Sequence, residues 1–211
     1  MLKPLVDYYN SFLEIKDTYT PNDLCSQFGT PIHLAIQKAP EFKILLDMLF
    51  DLQPKTILEI GQEYGGSTYY FSKLFSNAKV IGLDIDHSIF PLEYYSFNNL
   101  ELVTLDSGKY STYLKIKDLA PEIDFLFIDG CHYYPTIIKD FVYYSKLVSP
   151  GGIICFHDIH WSFSEEKYGV GQLWNLIKKR YSNTNLLELV YDKEPAKNFL
   201  TMFGLGILVK E

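Results

Sequence analysis

Two short segments hold most of the side chains that can do acid–base or metal chemistry. One reads Phe127-Ile128-Asp129-Gly130-Cys131-His132-Tyr133, the other Cys155-Phe156-His157-Asp158-Ile159-His160-Trp161, and three of the chain's five histidines fall in them. Core filling does not explain such a concentration. Asp129 and Asp158 can together hold a hard divalent cation through oxygen, Mg²⁺ being the simplest choice. His157 can be a third ligand, and its nitrogen would tilt the preference towards Mn²⁺, Fe²⁺ or Zn²⁺. Consecutive strand residues face opposite ways, so His157 and Asp158 share one ion only if the strand has already turned. Alternatively the two aspartates hydrogen-bond a ligand or cap the segments that follow. His132 lies three residues beyond Asp129. There an imidazole can take the proton of a hydroxyl whose pKa a metal has lowered, or simply make a structural hydrogen bond. His160 stays open between a substrate loop, a supporting contact behind the metal ligands, and solvent. Cys131 has no cationic neighbour to activate its thiol, so it is not read as a nucleophile.

A second cluster stands at Glu59-Ile60-Gly61-Gln62-Glu63-Tyr64-Gly65-Gly66-Ser67. The glycines let a backbone turn sharply and approach a ligand closely. By itself such a turn can bind nothing. Asp84, 23 residues after Gly61, is placed to accept both hydroxyls of a ribose. The spacing is not the dinucleotide G-x-G-x-x-G, and Glu59 beside the turn would repel a pyrophosphate. It favours a ligand with an ammonium or sulfonium group, and S-adenosylmethionine has both. Asp106 and Ser107 follow a third apolar run, where they either reach an adenine amino group or cap the next helix.

These residues need a frame. Short apolar runs at Thr56–Ile60, Lys79–Ile85, Leu100–Leu105, Asp124–Asp129 and Gly152–His157 suit strands buried on both faces. Helical stretches separate them: Gly66–Ser76, Ser88–Asn98, Lys109–Leu119 and Tyr134–Val148. This alternation predicts a doubly wound α/β sheet with its crevice at the carboxyl ends of the strands. Leu186–Tyr191 and Gly204–Val209 predict a closing antiparallel pair. Residues 1–54, with helical spacing at Pro4–Lys16 and Pro40–Leu52, predict a small helical cap over the crevice, and 55–211 the main domain. Pro150-Gly151-Gly152 reads as a helix stop, Asp140 as a solvent-facing or ion-paired helix residue, and residues 160–169 as a lid over the substrate.

The bulk properties set limits. With 211 residues, 47% of them apolar, the chain suits one globular core. A net charge of −7 argues against nucleic-acid binding. The first ten residues lack the apolar stretch of a signal peptide, and no run suits a membrane span. Three cysteines in no CxxC pair suggest reduced thiols and a cytoplasmic setting. A homo-oligomer is compatible with all of this.

The turn at Glu59–Ser67 with Val80-Ile81-Gly82-Leu83-Asp84 resembles the first two motifs of class I S-adenosylmethionine-dependent methyltransferases. The resemblance covers about residues 55–211. It implies a Rossmann-like, seven-stranded, mostly parallel fold. Glu59, Gly61, Gln62, Gly65, Gly66 and Ser67 would serve the methionine half of the cofactor, Asp84 the ribose, Asp106 and Ser107 the adenine, and Asp129 both cofactor and metal. The stretch Ile128-Asp129-Gly130-x-His132-x-Tyr134, with Asp140, Pro150-Gly151-Gly152, His157-Asp158 and Gly169-Val170…Trp174, is similar to a narrower group. These are metal-dependent O-methyltransferases allied to cephalosporin-hydroxylase-like and macrolide-sugar methyltransferases. In the sugar-modifying members an acid followed three residues later by His serves as ligand and base, which matches Asp129 and His132. Catechol-type members carry Asp-Asn where this chain has His157-Asp158. The expected activity is methyl transfer to a hydroxyl of a small molecule or sugar. The competing expectations are a cofactor-binding module that acts through a partner, and a nucleotide-dependent oxidoreductase.

Overall fold

In a computed structural model, residues 1–28, 37–90, 96–160, 169–191 and 204–211 are described. Seven strands form one sheet in the order β3-β2-β1-β4-β5-β7-β6. The strands are β1 (Thr56–Ile60), β2 (Lys79–Asp84), β3 (Leu100–Thr104), β4 (Ile123–Ile128), β5 (Val148–Phe156), β6 (Leu186–Leu189) and β7 (Leu205–Val209). The first five are parallel, and β7 runs antiparallel to both β5 and β6. This is the doubly wound, mostly parallel sheet with an antiparallel closing strand that the alternation predicts. The strand order reverses between β1 and β4, so the crevice opens at their carboxyl ends.

Alternation along the strands separates two cores. Ile57, Phe125, Phe127, Ile153 and Cys155 pack with helices α1 (Leu5–Ile15), α2 (Pro21–Phe28), α3 (Ala39–Leu52) and α4 (Gly66–Leu74). Leu58, Ile60, Leu126, Ile128 and Ile154 pack with α5 (Tyr110–Leu119), α6 (Tyr134–Tyr144) and α7 (Val170–Arg180). Period-two burial on both faces is what a covered parallel sheet requires. The helices of the first 54 residues therefore form part of a face layer. Nine of the residues of α3 are buried, and of the described N-terminal residues Gln37 reaches the crevice. The expected position over the crevice gives way because α3 is too apolar to stand away from the sheet.

Other boundaries moved for identifiable reasons. Helix α2 was not expected; Asp23 Oδ2 accepts from the backbone and hydroxyl of Thr20, which starts it. Pro150-Gly151-Gly152 lies inside β5, where the pairing with β4 shifts register, and α6 has already ended at Tyr144. Asp140 is fully buried, and burial raises its carboxyl to about 7. The expected helix at 88–98 lies partly outside the described residues; 88–90 and 96–99 are turns and coil. The expected lid, with Trp161, Phe163, Glu165, Glu166 and Tyr168, and the link at 192–203 lie outside them. The three cysteines are free, and among the described residues no helix is long and apolar enough to cross a membrane.

Candidate functional site

The glycine turn joins β1 to α4. Gly61 has φ +86°, and a Cβ there would stand 2.3 Å from the Asp129 carbonyl oxygen. Its close approach is thus to the end of β4, which the Asp129 amide joins to the Ile60 carbonyl at 2.8 Å. Gly65, at φ +73°, caps α4. The side chains around the turn bind one another. Glu59 is fully buried and accepts from the hydroxyls of Ser67 and Thr68. Burial raises its carboxyl to about 8, against the pull of those two hydroxyls, so it is largely neutral at pH 7. Within the chain itself, Glu59 fixes the start of α4 through these two hydroxyls. Ser67 serves Glu59 too.

Asp84 faces the turn. Its Oδ2 accepts from the amides of Gln62 at 2.7 Å and Glu63 at 3.3 Å, and its Oδ1 from the amide of Asp86 at 3.2 Å. Oδ2 thus has both lone pairs engaged, while Oδ1 keeps a second one, where a ribose hydroxyl still finds an acceptor. Gln62 lies buried beneath the turn, donating to the carbonyls of Glu59 and Leu83. Its Oε1 must then accept from His87 Nε2, at 2.9 Å, and His87 Nδ1 contacts the Thr104 hydroxyl at 2.8 Å. His87 thus ties the turn to β3, a link that sequence reasoning missed because nothing marks the residue locally. Asp106 Oδ1 accepts from the Gly108 amide at 2.9 Å. The helix α5 begins only after Lys109, so Asp106 shapes the loop rather than capping the helix. Ser107 contributes its carbonyl to the Tyr144 hydroxyl at 3.0 Å.

The polar ends of β4 and β5 meet beside this turn. Asp158 has φ +60°; the strand has turned there, which lets neighbouring His157 and Asp158 face one centre. His157 Nδ1 lies 3.0 Å from Asp129 Oδ1 and 3.4 Å from Asp158 Oδ2. His132 Nε2 lies 3.0 Å from the same Asp158 oxygen. Burial pushes the His157 imidazole down, but the two carboxylates outweigh it and hold it well above its ordinary range. Burial likewise opposes charge on Asp158, yet His157 and His132 bring its carboxyl down to about 2. The backbone of His132 is anchored: its carbonyl accepts from the Gly169 amide at 2.8 Å. Gly169 must be glycine, since a Cβ there would stand 2.3 Å from Tyr134 Cβ.

Ligand atoms of Asp129, His132 and Asp158 all lie within 4.8 Å of one another. Two oxygens and a nitrogen so placed fit a divalent cation of the Mg²⁺ to Mn²⁺ kind. The group that converges is not the same three residues as the expected Asp129, His157 and Asp158. His132 belongs to the group and His157 lies outside it, with its Nδ1 directed at both carboxylates. Sequence reasoning also missed Gln37, whose Nε2 donates to Asp129 Oδ2 at 2.9 Å. It stands 92 residues away in the chain.

Residues 58–159 match the model of a family described as a methyltransferase domain. An uncharacterized protein of Acanthamoeba polyphaga mimivirus is 31% identical over 147 residues, 63% of this chain and 62% of its own length. Among solved structures, the MycE methyltransferase of the mycinamycin biosynthetic pathway, in complex with Mg and S-adenosylhomocysteine, matches with a TM-score of 0.57 at 19% identity, over 91% of this chain and 54% of that one. An O-methyltransferase from Bacillus cereus, in complex with S-adenosylhomocysteine, matches with a TM-score of 0.63 at 17% identity, over 98% and 100%. The chain thus spans less than two thirds of the mimivirus protein and about half of the MycE chain. The matched domain runs from β1 to just beyond β5 and includes both clusters.

Proposed function

We propose that this chain, which carries a class I methyltransferase domain, moves the methyl group of S-adenosylmethionine to a hydroxyl of a small molecule or sugar. Asp129 and Asp158, at the ends of β4 and β5, would hold a divalent cation, Mg²⁺ in the simplest case, and His132 is the base. The observation behind this reading is the convergence of Asp129, His132 and Asp158 within 4.8 Å, beside the glycine turn. The MycE complex with Mg and the Bacillus cereus complex support it by likeness of fold.

The turn from Gly61 to Gly66 would seat the methionine half, and Asp84 the ribose. Asp129 and Asp158 would hold the cation, which when bound lowers the pKa of an adjacent hydroxyl. The acceptor oxygen attacks the methyl carbon in line with the departing sulfur. As the C–O bond forms the C–S bond breaks, the proton passes to the His132 imidazole, and S-adenosylhomocysteine is left. Asp158, already facing His132 Nε2 at 3.0 Å, stabilises the imidazolium that results. Beyond this the reaction needs alignment more than any further group.

The same convergence favours a second arrangement, in which His132 Nε2 ligates the cation itself and the proton leaves to solvent. His132→Gln separates the two: as a base its loss abolishes transfer and spares Mn²⁺ binding, whereas as a ligand its loss weakens Mn²⁺ binding as well. The overall reading is tested by incubating the purified chain with methyl-labelled S-adenosylmethionine and a panel of sugars and phenols, with and without EDTA. Label transfer that EDTA abolishes is expected. Binding of the methyl donor with no transfer in any condition would favour a module that acts through a partner. Tight NAD binding with none of S-adenosylmethionine would favour an oxidoreductase.

A further inference from the structure

We propose that Gln37 is a positioning residue of the Asp129 centre, an assignment that rests on the cation reading above. Two features of one side chain carry it. Gln37 Nε2 donates to Asp129 Oδ2 at 2.9 Å, while His157 Nδ1 holds Asp129 Oδ1 at 3.0 Å. With a donor on each oxygen the carboxylate is fixed in rotation, and its remaining lone pairs keep set directions.

The second feature is the other end of the amide. Gln37 Oε1 is buried and has no hydrogen-bond partner among the described residues. The orientation of the amide follows from chemistry: turning its oxygen to Asp129 would set two acceptors against each other. Holding Asp129 therefore leaves Oε1 as a buried acceptor without a donor, which a fold rarely keeps without use. A hydroxyl-bearing ligand seated beside Asp129 supplies that donor. Gln37 thus fixes the aspartate and receives the O–H of the group that binds next to it. The side chain comes from the segment entering α3, so the N-terminal region completes a centre otherwise built from the ends of β4 and β5.

Mn²⁺ serves as the probe, titrated into the full chain and followed by electron paramagnetic resonance. Gln37→Leu is expected to weaken Mn²⁺ binding roughly tenfold or more, the range for losing a partner that orients a ligand. The melting temperature of the metal-free chain and its affinity for S-adenosylhomocysteine are expected to stay at wild-type values. Gln37→Glu adds a negative charge at the same place and is expected to tighten Mn²⁺ binding. A packing role would not produce opposite signs in the two variants. Wild-type Mn²⁺ affinity in Gln37→Leu overturns this assignment alone. If that variant does not fold, Gln37→Glu decides, and unchanged or weaker binding there overturns the assignment. A wild-type chain that takes up no Mn²⁺ overturns the cation reading, and the assignment with it.

Discussion

The end of β1 and the ends of β4 and β5 lie side by side in the sheet, yet they are built on opposite plans. At the glycine turn the polar groups satisfy one another. Glu59 is closed off by Ser67 and Thr68, Gln62 by two carbonyls and His87, and Asp84 by the amides of the turn. The result is a fixed shape whose burial favours neutral groups. At the ends of β4 and β5, two carboxylates, two imidazoles and the amide of Gln37 converge from separate segments. Charge is retained there, with His157 held well above its ordinary range between the aspartates. One region closes its polar groups on itself, and in the other charged side chains from separate segments face one centre.

The comparison predicts that the turn fails through shape. Gly61→Ala places a Cβ against the Asp129 carbonyl at a positive φ. The expected cost is about 3 kcal/mol or more, a fall of roughly 6 to 12 °C in melting temperature for a chain of this size. S-adenosylhomocysteine binding should fall with it. A variant with wild-type melting and binding would break the claim that the turn is preformed. At the other region, Asp158→Ala should cost about 3 kcal/mol, because it strips a partner from the buried, charged His157. Mn²⁺ binding should be lost and the affinity for S-adenosylhomocysteine kept. Loss of both affinities together would show that the two regions are not separable.

A smaller effect sharpens the contrast in charge. Burial raises Glu59 from 4.5 to about 8. Between those values the folded chain keeps a proton that the unfolded chain has released. Its contribution to stability is thus fully present at low pH and is lost as the pH rises through about 8. Glu41 adds to the same trend: it is buried, its carboxylate accepts from the amides of Tyr191 and Gly204, and burial raises it to about 7. Melting curves from pH 5 to 9 should show Glu59→Gln losing less stability with rising pH than wild type. Parallel curves would count against a buried neutral Glu59. The smallest effect is expected for Ser67→Ala. It removes one donor to Glu59 and should cost about 1 kcal/mol, with S-adenosylhomocysteine affinity near wild type. A large loss of affinity would assign Ser67 to the cofactor directly.

The sheet was legible because its strands are apolar on both faces and bounded by turns: Thr56–Ile60 and Leu100–Thr104 fall within a residue of their expected limits. The role of Glu59 was not legible, since its type says nothing of burial, and burial changes its charge. Asp129, His132, His157 and Asp158 were legible as a cluster because strand ends in this topology share one crevice. Their internal geometry was not, because it depends on the turned backbone at Asp158. Gln37 and His87 lie in no pattern at all. They join the site only through contacts between segments far apart in the chain.

The claim that both regions serve one methyl transfer is tested most directly by calorimetric titration of S-adenosylmethionine into the purified chain. The account predicts saturable binding at one site, weakened in Asp84→Ala and retained in Asp129→Asn. No heat of binding in the wild type, with a well-folded chain, would contradict it.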